Sequence, residues 1–330
     1  MRRSKLATAL GDGRWQCNVC QWRCQLGPGE HGRCLVRVAD AAGILVENDG
    51  LISAAVVGAV EDYRLWHLLP GAPVLAIGSW GYAFPADQQR GQYATIPTDP
   101  AKQRKLAPEK AASFALERLC RGVVWGFSDP AVAHEYAREV IQISRSSSRF
   151  TALVTTGYET IEALDQVGHY LDAISLDLRG FSDAAYARLA GIEHWRGILD
   201  LVAHAQQHWQ CHIEVTTRLH PGVNDSSDEL QAMAAWIHGT LGPQTPWHIL
   251  PGDAGAAAAQ SAARAKRLGH EQGLQFIYGA DPLQNTACPR CGNTVIDRSG
   301  NNVRVTGLEQ GRCTRCGDAL TIRTSIFKHG

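Results

Sequence analysis

The sequence has no excess of charge, no long apolar run and no cysteine between positions 34 and 120, and each lack excludes something. Lys and Arg number 32 and so do Asp and Glu, which leaves zero formal charge. That removes the global attraction to nucleic acid or to an anionic membrane surface and leaves only local patches. The longest apolar stretch, Leu51 to Val60, is about half the ~20 residues of a membrane span. Met1-Arg2-Arg3 is a basic start, but Leu6 to Leu10 is shorter than the roughly 7–15 residues of a secretory leader's apolar core. The expectation is a cytoplasmic protein with no membrane partner and no clear nucleic-acid signal. Disorder is excluded by 45% hydrophobic and 19% charged residues.

What the chain does have is cysteine: ten, eight of them in two tight groups. In a reducing compartment close cysteines point to metal ligation before disulfides. The C-terminal group is Cys288-Pro-Arg-Cys291-Gly, 21 residues, then Cys313-Thr-Arg-Cys316-Gly. Each half is a knuckle, whose glycine can turn backbone N–H groups toward the thiolates. Four thiolates in two knuckles match a closed tetrahedral zinc site, with Thr294–Ile296 and Val303–Val305 as hairpin strands between them. The N-terminal group, Cys17-x2-Cys20-x3-Cys24-x9-Cys34, is less specific. It suits zinc or an iron–sulfur cluster, with His31 as an alternative ligand. Cys120 and Cys211 flank apolar strands and read as small buried hydrophobes.

Three blocks follow. Residues 1–50 are turn-rich and hold the first cysteine group; residues 281–330 hold the second. Neither has the apolar periodicity for a core of its own, so a metal would supply cohesion. Residues 51–280 carry short apolar runs at 74–77, 123–125, 152–154, 173–176, 213–215, 247–250 and 276–278. Helix-like segments lie between: one from Pro108 through Phe114 and Leu116, one from Ser182-Asp183 to Gly191, one capped by Ser226 or Ser227 and carrying Leu230, Met233 and Trp236. Alternation of this kind implies right-handed βαβ units, a parallel sheet and a full or partial barrel, with ligands held at the C-terminal strand ends.

The order of motifs resembles a known family. Cys17-x2-Cys20-x3-Cys24-x9-Cys34-Leu-Val-Arg, His67-Leu-Leu-Pro70-Gly71, Val154-Thr-Thr-Gly157-Tyr158, Leu171-Asp-Ala-Ile-Ser-Leu-Asp177-Leu-Arg179-Gly-Phe181, Glu214-Val-Thr-Thr-Arg-Leu-His-Pro221-Gly222-Val-Asn224-Asp225 and Pro246-Trp247-His248 run through nearly the whole chain. Together with the terminal knuckles they are similar to the radical SAM enzymes of the AmmeMemoRadiSam system, relatives of pyruvate formate-lyase-activating enzymes. The resemblance implies an α/β fold: a partial (β/α)6-type barrel between a four-cysteine N-terminal module and a C-terminal zinc ribbon, with S-adenosylmethionine and a [4Fe–4S] cluster at the barrel mouth.

The chemistry departs from that pattern. The family carries Cys-x3-Cys-x2-Cys in the loop after the first barrel strand, three thiolates holding a cluster whose fourth iron takes the amino and carboxylate groups of S-adenosylmethionine. Here the corresponding positions are Tyr82, Ala86 and Gln89. Alanine has no ligand atom, and phenol and amide replace thiolate poorly. A conventional radical SAM cluster is not expected. The family's Asn-Glu-Pro is Ser128-Asp129-Pro130 here, its Asp-x-Lys is Asp177-Leu-Arg179, and its aromatic-His pair is Gly252-Asp253. Ser128, Asp129, Asp177 and Arg179 are therefore the candidate ligand-binding residues, S-adenosylmethionine or another small polar molecule being the ligand class.

Three functions remain open. The first is a pseudoenzyme, a ligand-binding or scaffolding subunit beside a protein partner or active paralogue. The second is an active radical SAM enzyme with an atypically ligated cluster, which requires Cys17, Cys20 or Cys24 within reach of the Asp129 pocket. The third is a non-redox enzyme using Asp129, Asp177 or Asp253. His204 and His208, four apart on a helix, read as a solvated face, and His212 as the start of the next strand. Ser144–Arg149 reads as a polar connector. An exposed Trp15 and Trp22 would mark a docking surface.

Overall fold

A computed structural model describes residues 2–252, 255–279, 284–299 and 302–326. Asp253 and the start of the third block at Asp281-Pro282 lie outside the described residues. The largest sheet has eight strands: β1 (Ala54–Ala59), β2 (Pro73–Gly78), β3 (Gly122–Phe127), β4 (Phe150–Thr155), β5 (Ala173–Asp177), β6 (His212–Leu219), β7 (Trp247–Pro251) and β8 (Ile277–Tyr278). Their order across the sheet is their order in the chain. β3 is parallel to β2 and β4, and β7 is parallel to β6 and β8. The runs read as strands in the sequence are β2 to β8; β2 to β7 extend beyond them by up to four residues at an end, and β8 is one residue shorter. Val74, Leu75, Ala76 and Ile77 are fully buried, the unbroken apolar run of a strand covered on both faces.

Helices separate the strands. The sequence signals mark α2 (Pro108–Glu117), with Pro at its first turn, α5 (Asp183–Leu189), and α7 (Ser227–Trp236), where the Ser226 hydroxyl accepts from the Glu229 amide. Three helices carry no sequence expectation: α1 (Pro85–Arg90), α4 (Ile161–Asp165) and α8 (Ala256–Glu271); the helix expected to carry His204 is α6 (Gly197–Gln207), with His208 at its C-terminal cap. The polar stretch from Ser144 is not all connector, because α3 (His134–Ser146) runs into it. Ser144 is buried, and the Ser146 and Ser147 hydroxyls donate to the carbonyls of Gln142 and Ile143. Hydroxyls bonding back onto the preceding turn let helix continue through a run that reads as loop.

The chain divides into two compact units. The first comprises Met1–Gly58, Pro73–Ile174 and Leu189–Cys211; the second Ala59–Ala72, Ser175–Arg188 and His212–Gly330. Within the first, the cysteine-bearing N-terminus forms two three-stranded antiparallel sheets, among them Ala7–Ala9, Trp15–Cys17 and Gln25–Leu26. Their core is Cys17, Val19, Leu26, Ala39 and Ile44. Within the second, Thr286–Ala287, Thr294–Asp297 and Arg304–Val305 form the antiparallel strands of the C-terminal ribbon. The ribbon shares one apolar cluster with Trp66, Phe276 and Tyr278.

Candidate metal centres and buried polar sites

In the second unit, the C-terminal cysteines converge. Cys288 Sγ lies 3.6 Å from Cys316 Sγ, and Cys291 Sγ lies 3.6 Å from Cys313 Sγ. All four sulfurs fall within 4.8 Å of one another. A tetrahedron with Zn–S bonds of about 2.3 Å has sulfur–sulfur edges of about 3.8 Å, so the cage has the size of one zinc ion. The knuckle glycines adopt the left-handed region, Gly292 at φ +71° and Gly317 at φ +75°. Burial opposes ionisation of Cys313, but the amides of Arg315 and Cys316 override it and bring the thiol down to about 6. A thiol ionised near neutrality is ready to ligate.

In the first unit, Cys17, Cys20, Cys24 and Cys34 line one pocket together with Trp22, Leu26, Gly32, Arg37, Ala131 and Val132. A tight turn makes this: the Cys17 amide donates to the Cys24 carbonyl at 2.8 Å, and Gly32 faces the sulfurs of Cys24 and Cys34. Burial pushes the Cys17 and Cys20 thiols up and Cys34 up to about 11. The four cysteines share one buried space, but among the described residues only Cys288, Cys291, Cys313 and Cys316 bring their ligand atoms within 4.8 Å of one another. His31 is not among the lining residues; it is half-exposed and pairs with Glu47 at 3.0 Å. Arg37 is buried beside the cysteines, held by Glu135 through bonds of 3.0 and 2.5 Å. Burial disfavours the Glu135 carboxylate, but the guanidinium prevails and holds it down at about 2.

The segment from Tyr82 to Gln89 is packed and carries no thiolate. Ala83 and Phe84 are fully buried, and Phe84 meets Tyr158 edge-on at 5.2 Å, as does Trp22 at 5.7 Å. The Trp22 indole donates to the Ala83 carbonyl at 2.7 Å, and Arg33 stacks over its ring at 4.1 Å. Trp22 is thus an internal anchor, and Trp15 and Trp22 are both partly buried, so the exposure that would mark them as a docking pair is not met. Tyr82 is half-buried, Ala86 is buried and Gln89 is exposed. These three do not fit a [4Fe–4S] cluster, since they offer at most a phenol and an amide facing different surroundings.

The strand-end polar residues stand as follows. Asp129, buried, caps the turn at Pro130–Ala133 by accepting from the Ala131 amide at 3.1 Å, and also accepts from the Thr156 hydroxyl at 2.7 Å. Ser128 has φ +60°, and its hydroxyl accepts from the Ser79 amide. In the second unit, Asp177 ends β5, and Arg179 donates to its Oδ2 at 3.1 and 3.0 Å. The raised carboxyl in the first unit is a residue the sequence did not single out. Glu159 is pushed up to about 8 by burial and by the charge of Asp129.

The sequence reading also missed a buried polar chain in the second unit. Glu214 is inaccessible to solvent and accepts from the His67 amide at 2.7 Å. Its other contacts are His212 Nε2 at 2.9 Å and His248 Nε2 at 2.7 Å. His67 Nε2 meets the Tyr278 hydroxyl at 2.7 Å, Tyr278 meets Thr286, and Arg298 donates to Thr286 and to the Trp66 carbonyl. The available signal was a charged or imidazole side chain inside an apolar strand, Ile213-Glu214-Val215 and Trp247-His248-Ile249. As expected, His212 begins a strand; His204 instead pairs with Asp165 and stacks on His208. Cys120 and Cys211 are buried.

No family model matches the chain. It is 26% identical over 340 residues to the uncharacterized protein MJ0808 of Methanocaldococcus jannaschii, across 98% of this chain and 99% of that protein. Among solved structures, a domain of a pyruvate-formate lyase-activating enzyme from Bacteroides vulgatus matches at TM-score 0.43 and 14% identity, over 48% of this chain and 99% of that one. A radical SAM methyltransferase from Sphaerobacter thermophilus matches at TM-score 0.48 and 14% identity, over 64% and 66%. TYW1 with a lysine-pyruvate adduct matches at TM-score 0.44 and 12% identity, over 66% and 83%. Among the described residues no helix is long and apolar enough to cross a membrane.

Proposed function

We propose that the chain is a radical-SAM-like protein, a partial (β/α)6 barrel of the AmmeMemoRadiSam type, that has lost the redox cluster. It acts as a non-catalytic ligand-binding or scaffolding subunit with two metal centres: zinc at Cys288, Cys291, Cys313 and Cys316, and zinc or iron–sulfur at Cys17, Cys20, Cys24 and Cys34. The observation that carries the reading is the segment from Tyr82 to Gln89, which has no thiolate and is filled by buried Ala83, Phe84 and Ala86. Electron transfer to a sulfonium needs a cluster with an open iron, and phenol, methyl and amide do not hold one. The test is S-adenosylmethionine cleavage by protein purified and reconstituted without oxygen. No 5′-deoxyadenosine supports the reading, and turnover overturns it.

A second reading has one observation in its favour. Ala131 and Val132, just beyond Asp129, line the same pocket as the four N-terminal cysteines. An atypically ligated cluster would need that nearness to the Asp129 strand end. It would also need one cysteine to leave an iron open, so the variant Cys34→Ala discriminates. Under this second reading it keeps a reducible cluster and cleavage activity.

A further inference from the structure

We infer that Arg37 is the positioning residue of the N-terminal centre, its Nε–H donating to a metal-bound cysteine sulfur, so that the pocket selects an all-thiolate, anionic centre. The inference rests on the reading that Cys17, Cys20, Cys24 and Cys34 hold a metal. Arg37 is 2% exposed and lines the pocket with those four residues. Its terminal nitrogens are engaged elsewhere: Nη1 donates to Glu135 at 3.0 Å and to the Ser4 hydroxyl at 3.3 Å, and Nη2 to Glu135 at 2.5 Å. Nε is buried and has no hydrogen-bond partner among the described residues. A buried donor left unmade is costly, and an acceptor in the pocket would remove that cost. A metal-bound thiolate, softer and more negative than a thiol, is such an acceptor.

The pairing with Glu135 gives the arrangement its selectivity. The two forked bonds fix the guanidinium plane and leave one N–H free to point, which a lysine ammonium does not reproduce. Two divalent-metal ligand sets were open from sequence, four cysteines or three with His31. The half-exposed His31 pairs with Glu47 instead, and an N–H donor beside the sulfurs favours the more negative set.

The test uses the full chain stripped of metal and reloaded with Co(II), with Cys17→Ser identifying the signal of this centre. Removing Arg37 alone would leave Glu135 as a buried unpaired charge, so the informative variant is Arg37→Met with Glu135→Met. The expected result is a 10–100-fold loss of Co(II) affinity at the Cys17 centre, the usual effect of an outer-shell partner. The thiolate-to-cobalt charge-transfer band of that centre shifts as well, while the band of the Cys313 centre stays in place. A folded double variant with unchanged affinity and an unchanged band overturns the inference. A wild-type chain whose cobalt spectrum Cys17→Ser leaves unaltered overturns instead the metal reading beneath it.

Discussion

The buried imidazole of His67 makes the second unit sensitive to acid in a calculable way. Burial, the largest influence, holds the ring well below its ordinary 6.5, down to about 3. The geometry agrees: Nε2 faces the Tyr278 hydroxyl, and Nδ1 has no partner, so a second ring proton would find no acceptor. The unfolded ring takes up a proton near pH 6.5 and the folded one only near 3. Stability is therefore complete above the unfolded value and is lost as pH falls toward the folded one. Between pH 7.5 and 5.0 the loss from this single group is about 2 kcal/mol. Glu214, whose carboxylate is held down by His212 and His248 against the cost of burial, adds only about 0.2 kcal/mol in that window, because its unfolded value is 4.5. The control is His67→Gln, which keeps a polar group toward Tyr278, does not titrate, and loses the edge contact with Phe276 at 4.6 Å equally at both pH values. Urea unfolding of zinc-loaded wild type and variant at pH 7.5 and 5.0 should show the stability gap narrowing by about 2 kcal/mol at the lower pH. Two stability–pH curves that run parallel would refute the reasoning.

Other outcomes follow from the same geometry. Cys313→Ser should remove one zinc per chain and destabilise the second unit by several kcal/mol, measured by elemental analysis and urea unfolding, because Cys313 lies in the cluster of Trp66 and Tyr278. Gly317→Ala should weaken zinc retention against a chelator at a cost of about 1 kcal/mol; a Cβ there meets nothing within 4 Å, so the strain is in the backbone alone. Phe84→Ala should cost about 3–5 kcal/mol in denaturant unfolding, since the ring is fully buried against Tyr158. A cost below about 1 kcal/mol would show that the segment replacing the cluster loop is not packed.

The parallel strands were legible because each is a short, mainly apolar run, as a parallel strand covered on both faces requires. Helices with Pro108 or Ser226 at their start were legible for the same local reason. The helix from Ala256 escaped because no capping side chain or proline marks its start, Gly255 preceding it, and the helix from Pro85 because it is only six residues long. The small N-terminal sheets were invisible as strands, being two to four residues each, too short for an alternating pattern to register. At the sites, cysteine spacing named the C-terminal cage, since each knuckle is a local structure. Arg37 with Glu135, and Glu214 with His248, are joined across 98 and 34 positions, and spacing carries no trace of them.

Elemental analysis of protein purified without oxygen, with acid-labile sulfide measured alongside, bears most directly on the proposed loss of the redox centre. A conventional cluster has nowhere to sit on Tyr82, Ala86 and Gln89, so the only iron or sulfide this account accepts belongs to the Cys17 set, and substituting those cysteines removes it. About two zinc ions per chain with no sulfide is the simplest result in agreement. Four irons and four sulfides that persist in a chain lacking Cys17, Cys20 and Cys24 would contradict it.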